Sequence, residues 1–153
     1  MRGSAALLVG ALVLLFAAAC GGGGGGGDTR LSREEFESQA NAICAKYQKQ
    51  LNAVGAPSSV DEIPDFVEQA LAILNKEIAE IGALNPPTDM QTDFDAMIEA
   101  SNNTKDAADD LSAAAKAGDQ AAVQKALDEG NAASKKADQI ATQLGLSECN
   151  ANG

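Results

Sequence analysis

Residues 119–146, DQAAVQKALDEGNAASKKADQIATQLGL, decide the fold. Within them Val123, Leu127, Gly130, Ser134, Ala137, Ala141 and Leu144 recur at alternating steps of four and three. That spacing puts one narrow stripe of small and apolar side chains along a single helical face, which is the pattern of a helix-bundle seam. Both ends are marked. Asp119 is a side-chain cap for the first turn, Gly145 stands where a left-handed terminating residue belongs, and Leu146 can pack back on the last turn.

Working toward the N-terminus, Gly118 closes a preceding helix whose stripe is Phe94, Met97, Ile98, Ala108, Leu111 and Ala115. Thr88 and Gln91 have the spacing of a capping box at its start. Its middle is polar: Ser101, Asn102, Asn103, Thr104 and Lys105 fall where the stripe should cross the core. A kink, a wet patch or a binding site is expected there, because buried polar groups must be paired or hydrated. Before Asn85-Pro86-Pro87, a second helix carries Val67, Leu71, Leu74, Ile78 and Ile81 inward, and Pro64 falls in its first turn. A first helix begins at Ser32, which forms a capping box with Glu35, while Leu31 and Phe36 form a hydrophobic staple. Phe36, Ala40, Ile43, Tyr47, Leu51 and Val54 lie on its inner face, and Gly55-Ala56-Pro57 ends it near Val54.

The expected fold is therefore all-α: an up-down-up-down four-helix bundle with short connections, occupying residues 31–153. Composition agrees. The chain is 45% hydrophobic but only 3% aromatic, so alanine and a few aliphatics do most of the burying, and alanine favours helix over strand.

The N-terminal segment reads as an address. Met1-Arg2 gives a positive end, and Ala5 to Ala19 is an unbroken run of apolar and small residues, AALLVGALVLLFAAA. Roughly 18 such residues are required to span a bilayer as a helix, so this run suits a cleaved signal peptide, residues 1–19. Ala17-Ala18-Ala19-Cys20 resembles the lipobox of bacterial lipoproteins, although leucine is commonest where Ala17 stands. The resemblance implies a diacylglyceryl group on Cys20, which becomes the mature N-terminus. Two acyl chains on one residue meet the requirement for stable anchoring. The expected location is thus the extracytoplasmic face of the cell membrane, with the membrane as partner through the lipid on Cys20. Gly21 to Gly27, within a tether of residues 20–30, form a flexible spacer, and with Asp28-Thr29-Arg30 these ten residues reach roughly 18 Å. No strand precedes the glycines and no Lys-Ser or Lys-Thr follows them, so they are no phosphate loop.

Setting Cys20 aside for lipid leaves Cys44 and Cys149, an even pair in an oxidising envelope, where a disulfide is the default. In the up-down arrangement the end of helix four lies beside the start of helix one, which would bring Cys149 toward Cys44. A reactive or metal-binding pair would want CxxC spacing or a neighbouring histidine, and the chain has neither.

Charge and missing residues narrow the chemistry. Net charge is −11, and loss of Arg2 with the signal peptide makes it −12. Such a surface repels phosphate backbones, so no nucleic-acid partner is expected. The absence of histidine removes the commonest general base and metal ligand, and leaves serine, threonine and cysteine without a nucleophile-activating partner. The acidic clusters Asp89, Asp93, Asp95 and Asp106, Asp109, Asp110 share helix faces but lack the glycine-bent loop of a calcium site and read as solvated surface. No metal, no cofactor and no catalytic residue is expected.

Ala40-Asn41-Ala42-Ile43-Cys44, Leu84-Asn85-Pro86-Pro87, Ala117-Gly118-Asp119, and Leu144-Gly145-Leu146 before Cys149 together resemble a group of small alanine-rich actinobacterial lipoproteins over residues 30–150. The resemblance implies a helical fold with the same disulfide and lends no catalytic residue. Three functions follow in order of expectation. The first is a non-enzymatic lipoprotein whose helical surface binds an envelope protein or other envelope component. The second is a carrier or sensor holding a small apolar ligand between helices, with Ser101, Asn102, Thr104, Gly130 and Ser134 as candidate ligand residues. A cavity along the helix-four seam would favour it. The third, a carboxylate-based hydrolase, requires two acids converging in a cleft.

Overall fold

The computed structural model describes residues 30–150. The expected signal peptide, Cys20 and the glycine spacer lie outside the described residues. Within them there are four α-helices and two short 3-10 turns: α1 (Arg33–Val54), η1 (Val60–Glu62), α2 (Ile63–Gly82), α3 (Gln91–Ala117), α4 (Gln120–Gln143) and η2 (Ser147–Cys149). No strand occurs among the described residues.

Local chemistry sets most boundaries. Ser32 caps α1 with both halves of the capping box in place: its Oγ accepts from the Glu35 N–H, and its own N–H donates to Glu35 Oε2 at 3.0 Å. Glu35 is held below the ordinary carboxylate range, first by the Ser32 side-chain hydrogen bond and then by the backbone one. Asp119 Oδ1 accepts from the Ala122 N–H at 3.0 Å at the head of α4. Gly118 ends α3 at φ 68°, and Gly145 follows α4 at φ 77°. Beyond α4 the Leu146 N–H donates to Ala141 O at 2.8 Å and the Gly145 N–H to Thr142 O at 3.2 Å, the paired bonds of a Schellman ending.

The head of α3 departs from expectation. Thr88 makes no cap, and the helix starts at Gln91 behind Met90 without a side-chain cap. The reason lies in the Pro86-Pro87 turn. The Met90 N–H donates to Pro87 O, so Thr88 is drawn into a turn before the helix begins. Gln91 is occupied elsewhere: its Oε1 accepts from Arg30 at 2.7 Å and its Nε2 donates to Asp95.

Packing is uneven along the molecule. At one end Phe36, Ala40, Cys44, Ile81, Met90, Phe94, Met97, Ala141, Leu144 and Leu146 form a continuous core. Phe36 and Phe94 meet edge to face with centroids 5.4 Å apart, a favoured aromatic geometry. The Cys44–Cys149 disulfide closes this end. The start of the domain is fastened there too, with the Leu31 N–H on Asn85 O at 2.8 Å and Arg30 on Pro86 O at 2.9 Å. α1 packs on α2, α2 on α3 and α3 most extensively on α4. α1 and α4 make no close backbone approach: no Cα of one lies within 8 Å of the other, and η2 bridges them at the core end. The seam expected on α4 is also shifted. Leu127 is 39% exposed while Ala126 is buried, because α3 and α4 approach through alanines, with Ala107 and Ala114 buried on the facing helix. A leucine is too bulky for so close an approach and turns to the rim.

Candidate functional site

A cavity of about 290 Å³ lies among the helices, with side chains of all four in its lining. Its origin is a shortage of side-chain volume. α4 presents Ser134 and Ala137 to the interior, which are too short to cross the space toward Leu51 of α1 and Leu71, Leu74 and Ile78 of α2. Those aliphatics are half-buried as a consequence. Met97 and Ile98 form the floor with Ile81, and the Cys44–Cys149 disulfide forms part of the wall nearest the filled core.

The polar lining comes from every helix: Gln48 from α1, Glu77 from α2, Ser101 and Thr104 from α3, Ser134 and Asp138 from α4. Ser101 Oγ donates to Met97 O at 3.0 Å and Thr104 Oγ1 to Ala100 O at 3.1 Å. Each hydroxyl therefore spends its one proton on its own helix, four residues back, and offers only lone pairs to the cavity. This pairing also explains why α3 runs unbroken through its polar middle from Gln91 to Ala117.

Glu77 is the group that the helical pattern did not single out. It stands between Leu74 and Ile78 on the inner side of α2, half-buried, and burial alone pushes its carboxyl up to about 7. No hydrogen bond or ion pair from a described residue contributes to that shift. A carboxyl so placed is poised between neutral and charged near neutrality, because its desolvated anion has nothing to replace the lost water. The sequence signal that could have found it is the position itself: Glu77 lies three residues beyond Leu74 and four before Ile81, inside the apolar stripe.

Of the residues singled out in the sequence, Ser101, Thr104 and Ser134 come together on the cavity wall. Asn102 does not. Its side-chain amide donates to Ile98 O at 3.1 Å, and it faces a separate shallow depression beside Phe94, Asp95 and Asn103. Gly130 is not on the wall either: it serves the α3–α4 contact, where a Cβ built on it would sit 3.5 Å from the Ala107 Cβ. The acidic clusters stay on the surface, with Asp89 paired to Arg33 at 2.9 Å and both Asp106 and Asp109 beside Lys105 at 3.4 Å. Among the described residues no helix is long and apolar enough to cross a membrane.

Two carboxyls, Glu77 and Asp138, therefore share one cleft, the condition attached to a hydrolase. Aliphatic side chains from three helices surround these acids. The arrangement can hold an apolar body and engage one polar end. No protein-family model, curated protein or solved structure matches this chain.

Proposed function

We propose that this chain is an extracytoplasmic lipoprotein, anchored through lipid on Cys20, whose helical domain binds a small apolar molecule between its helices as a carrier or sensor. The observation that carries the binding half is the cavity of about 290 Å³, with Leu51, Leu71, Leu74 and Ile78 on its walls and a few polar groups among them. Binding sites for small molecules are mostly apolar concavities with a small number of placed polar groups, beginning at roughly 300 Å³. The anchoring half is supported by the signal-peptide pattern and the lipobox resemblance at Ala17-Ala18-Ala19-Cys20. We read the four helices as an up-down-up-down bundle, which the short connections at 83–90 and 118–119 favour. In that frame the ligand enters from the side, between α1 and α4. The expectation of an envelope-component binder is retained in a narrower form, as the component enters the domain interior.

The test is intact mass spectrometry of the chain extracted from its own membranes, followed by release of bound small molecules with organic solvent. A stoichiometric apolar companion is expected on the wild type and is lost from Ala137→Phe, which fills the cavity. Equal recovery from both chains would remove the cavity from consideration. For the anchor, Cys20→Ala should shift the protein out of the membrane fraction, and retention there would reject it.

A further inference from the structure

We infer that the molecule held in this cavity is a small apolar amine, its ammonium group seated against the Glu77 carboxylate and its hydrocarbon body among the α1 and α2 aliphatics. The inference rests on the ligand-binding reading above and specifies its chemistry. Three observations carry it.

The first is the sign of the charge. The ionisable side chains on the cavity wall are Glu77 and Asp138, both acids, and no lysine or arginine joins them. α1 contributes Gln48 as its polar group there, and α3 contributes Ser101 and Thr104. An anionic head, such as a carboxylate or a phosphate, would meet the Glu77 carboxyl with no lysine or arginine on the wall to offset it, and like charges brought together in an apolar setting repel strongly. The whole chain, at −11, adds to that exclusion.

The second is the direction of the hydrogen bonds. Ser101 and Thr104 have already donated their hydroxyl protons to Met97 O and Ala100 O, so their oxygens face the cavity as acceptors. A carboxylate is an acceptor as well. Acceptor oxygens of Glu77, Ser101 and Thr104 thus outnumber the donors left on Gln48 and Ser134, which suits a group with three N–H donors and no lone pair. An alcohol head could use one of these acceptors, whereas an ammonium can use three.

The third is the state of Glu77. Burial raises its carboxyl, and no partner lowers it. A cation arriving beside it supplies the missing counter-charge and favours the ionised form, so a buried acid that weakens the empty domain strengthens the occupied one. A buried acid with no internal partner is accounted for if the partner is the ligand.

The experiment uses the full chain in lipid nanodiscs, with protein-free nanodiscs as the blank, and isothermal titration at pH 8 with octylamine, octanol and octanoate. The three probes share one tail and differ in the head. Octylamine is expected to bind at least about tenfold more tightly than octanoate, with octanol between them. In Glu77→Gln the amine should weaken about tenfold while octanol stays within about twofold. Octanoate binding as well as octylamine, or an amine preference that survives Glu77→Gln, overturns the headgroup assignment while octanol binding keeps the cavity reading alive. Failure of all three probes to bind overturns both.

Discussion

Cys44 and Cys149 stand 4.9 Å apart, Cα to Cα, where they tie the middle of α1 to η2 at the end of the bundle that also holds Phe36, Ala40 and Leu146. α1 and α4 have no close backbone approach, so the covalent link and the turn that carries it do the work that side-chain packing does between the other neighbours. The bonded pair is separated by 105 residues, and closing a loop of that length in the unfolded chain is worth about 4 to 5 kcal/mol in the chain-entropy account. Cys44→Ser should therefore lower the melting temperature by well over ten degrees, and reductant should do the same to the wild type. A melt indifferent to reductant, with both thiols free to label, would show that the staple does not form in the cell.

Glu77 gives the domain a pH dependence with a definite sign. Its carboxyl ordinarily titrates near 4.5 and is raised to about 7 in the fold. Between those values the folded chain keeps a proton that the unfolded chain has lost, so stability falls as pH rises through that window and is level on either side of it. A difference of that size is worth about 3 kcal/mol, and the water at the cavity mouth reduces it to about 1 to 2 kcal/mol. Glu77→Gln should thus be more stable than the wild type by that amount at pH 8 and equal to it at pH 4. Denaturant titrations at the two values would settle the matter, and parallel profiles would mean that the carboxyl is well hydrated.

The legibility of this chain divides along physical lines. Helix ends were readable wherever a side chain or a glycine makes its own local bond: Ser32 with Glu35, Asp119 with Ala122, Gly118 and Gly145 at positive φ. Thr88 has the same spacing as Ser32, but two prolines just before it impose a turn that takes precedence over the cap. Periodicity also marks the inward faces of α1 and α2, and the polar residues of α3 mark one wall of the cavity through Ser101 and Thr104. What periodicity does not contain is the distance between faces. The separation of α1 from α4, the resulting cavity and the burial of Glu77 are tertiary outcomes of small side chains on α4 facing larger ones across the bundle. Asn102 belongs to the polar middle of α3 and Gly130 to the periodic seam of α4, and the rotation of each around its helix keeps it off the cavity wall.

Leu146 should be a sensitive point although it lies outside every helix. It is fully buried, its N–H closes the Schellman ending on Ala141, and it belongs to the same core as Phe36 and Met97. Leu146→Ala removes that side chain and leaves the disulfide turn loosely supported, at an expected cost of about 3 kcal/mol. Thermal denaturation of the variant under oxidising conditions measures it. A loss below about 1 kcal/mol would mean that the turn reseats without its leucine.

Gly130 offers the opposite outcome, a substitution that strengthens the domain. It lies inside α4 with ordinary helical geometry, so nothing in its backbone requires glycine. A Cβ placed on it meets the Ala107 Cβ at 3.5 Å, which is normal contact and not a clash. Alanine at this position removes the entropic penalty of a mid-helix glycine, worth about 0.5 to 1 kcal/mol, and adds a methyl group to the α3–α4 contact. Gly130→Ala is accordingly expected to raise the melting temperature by several degrees. Because Gly130 is not on the cavity wall, octylamine affinity should be unchanged within about twofold. Stabilisation with unchanged binding separates the helix contact from the ligand site. A Gly130→Ala chain that loses amine binding would mean that the α3–α4 seam parts to admit the ligand, and the way in would then run beside Ala107 instead of by the proposed route between α1 and α4.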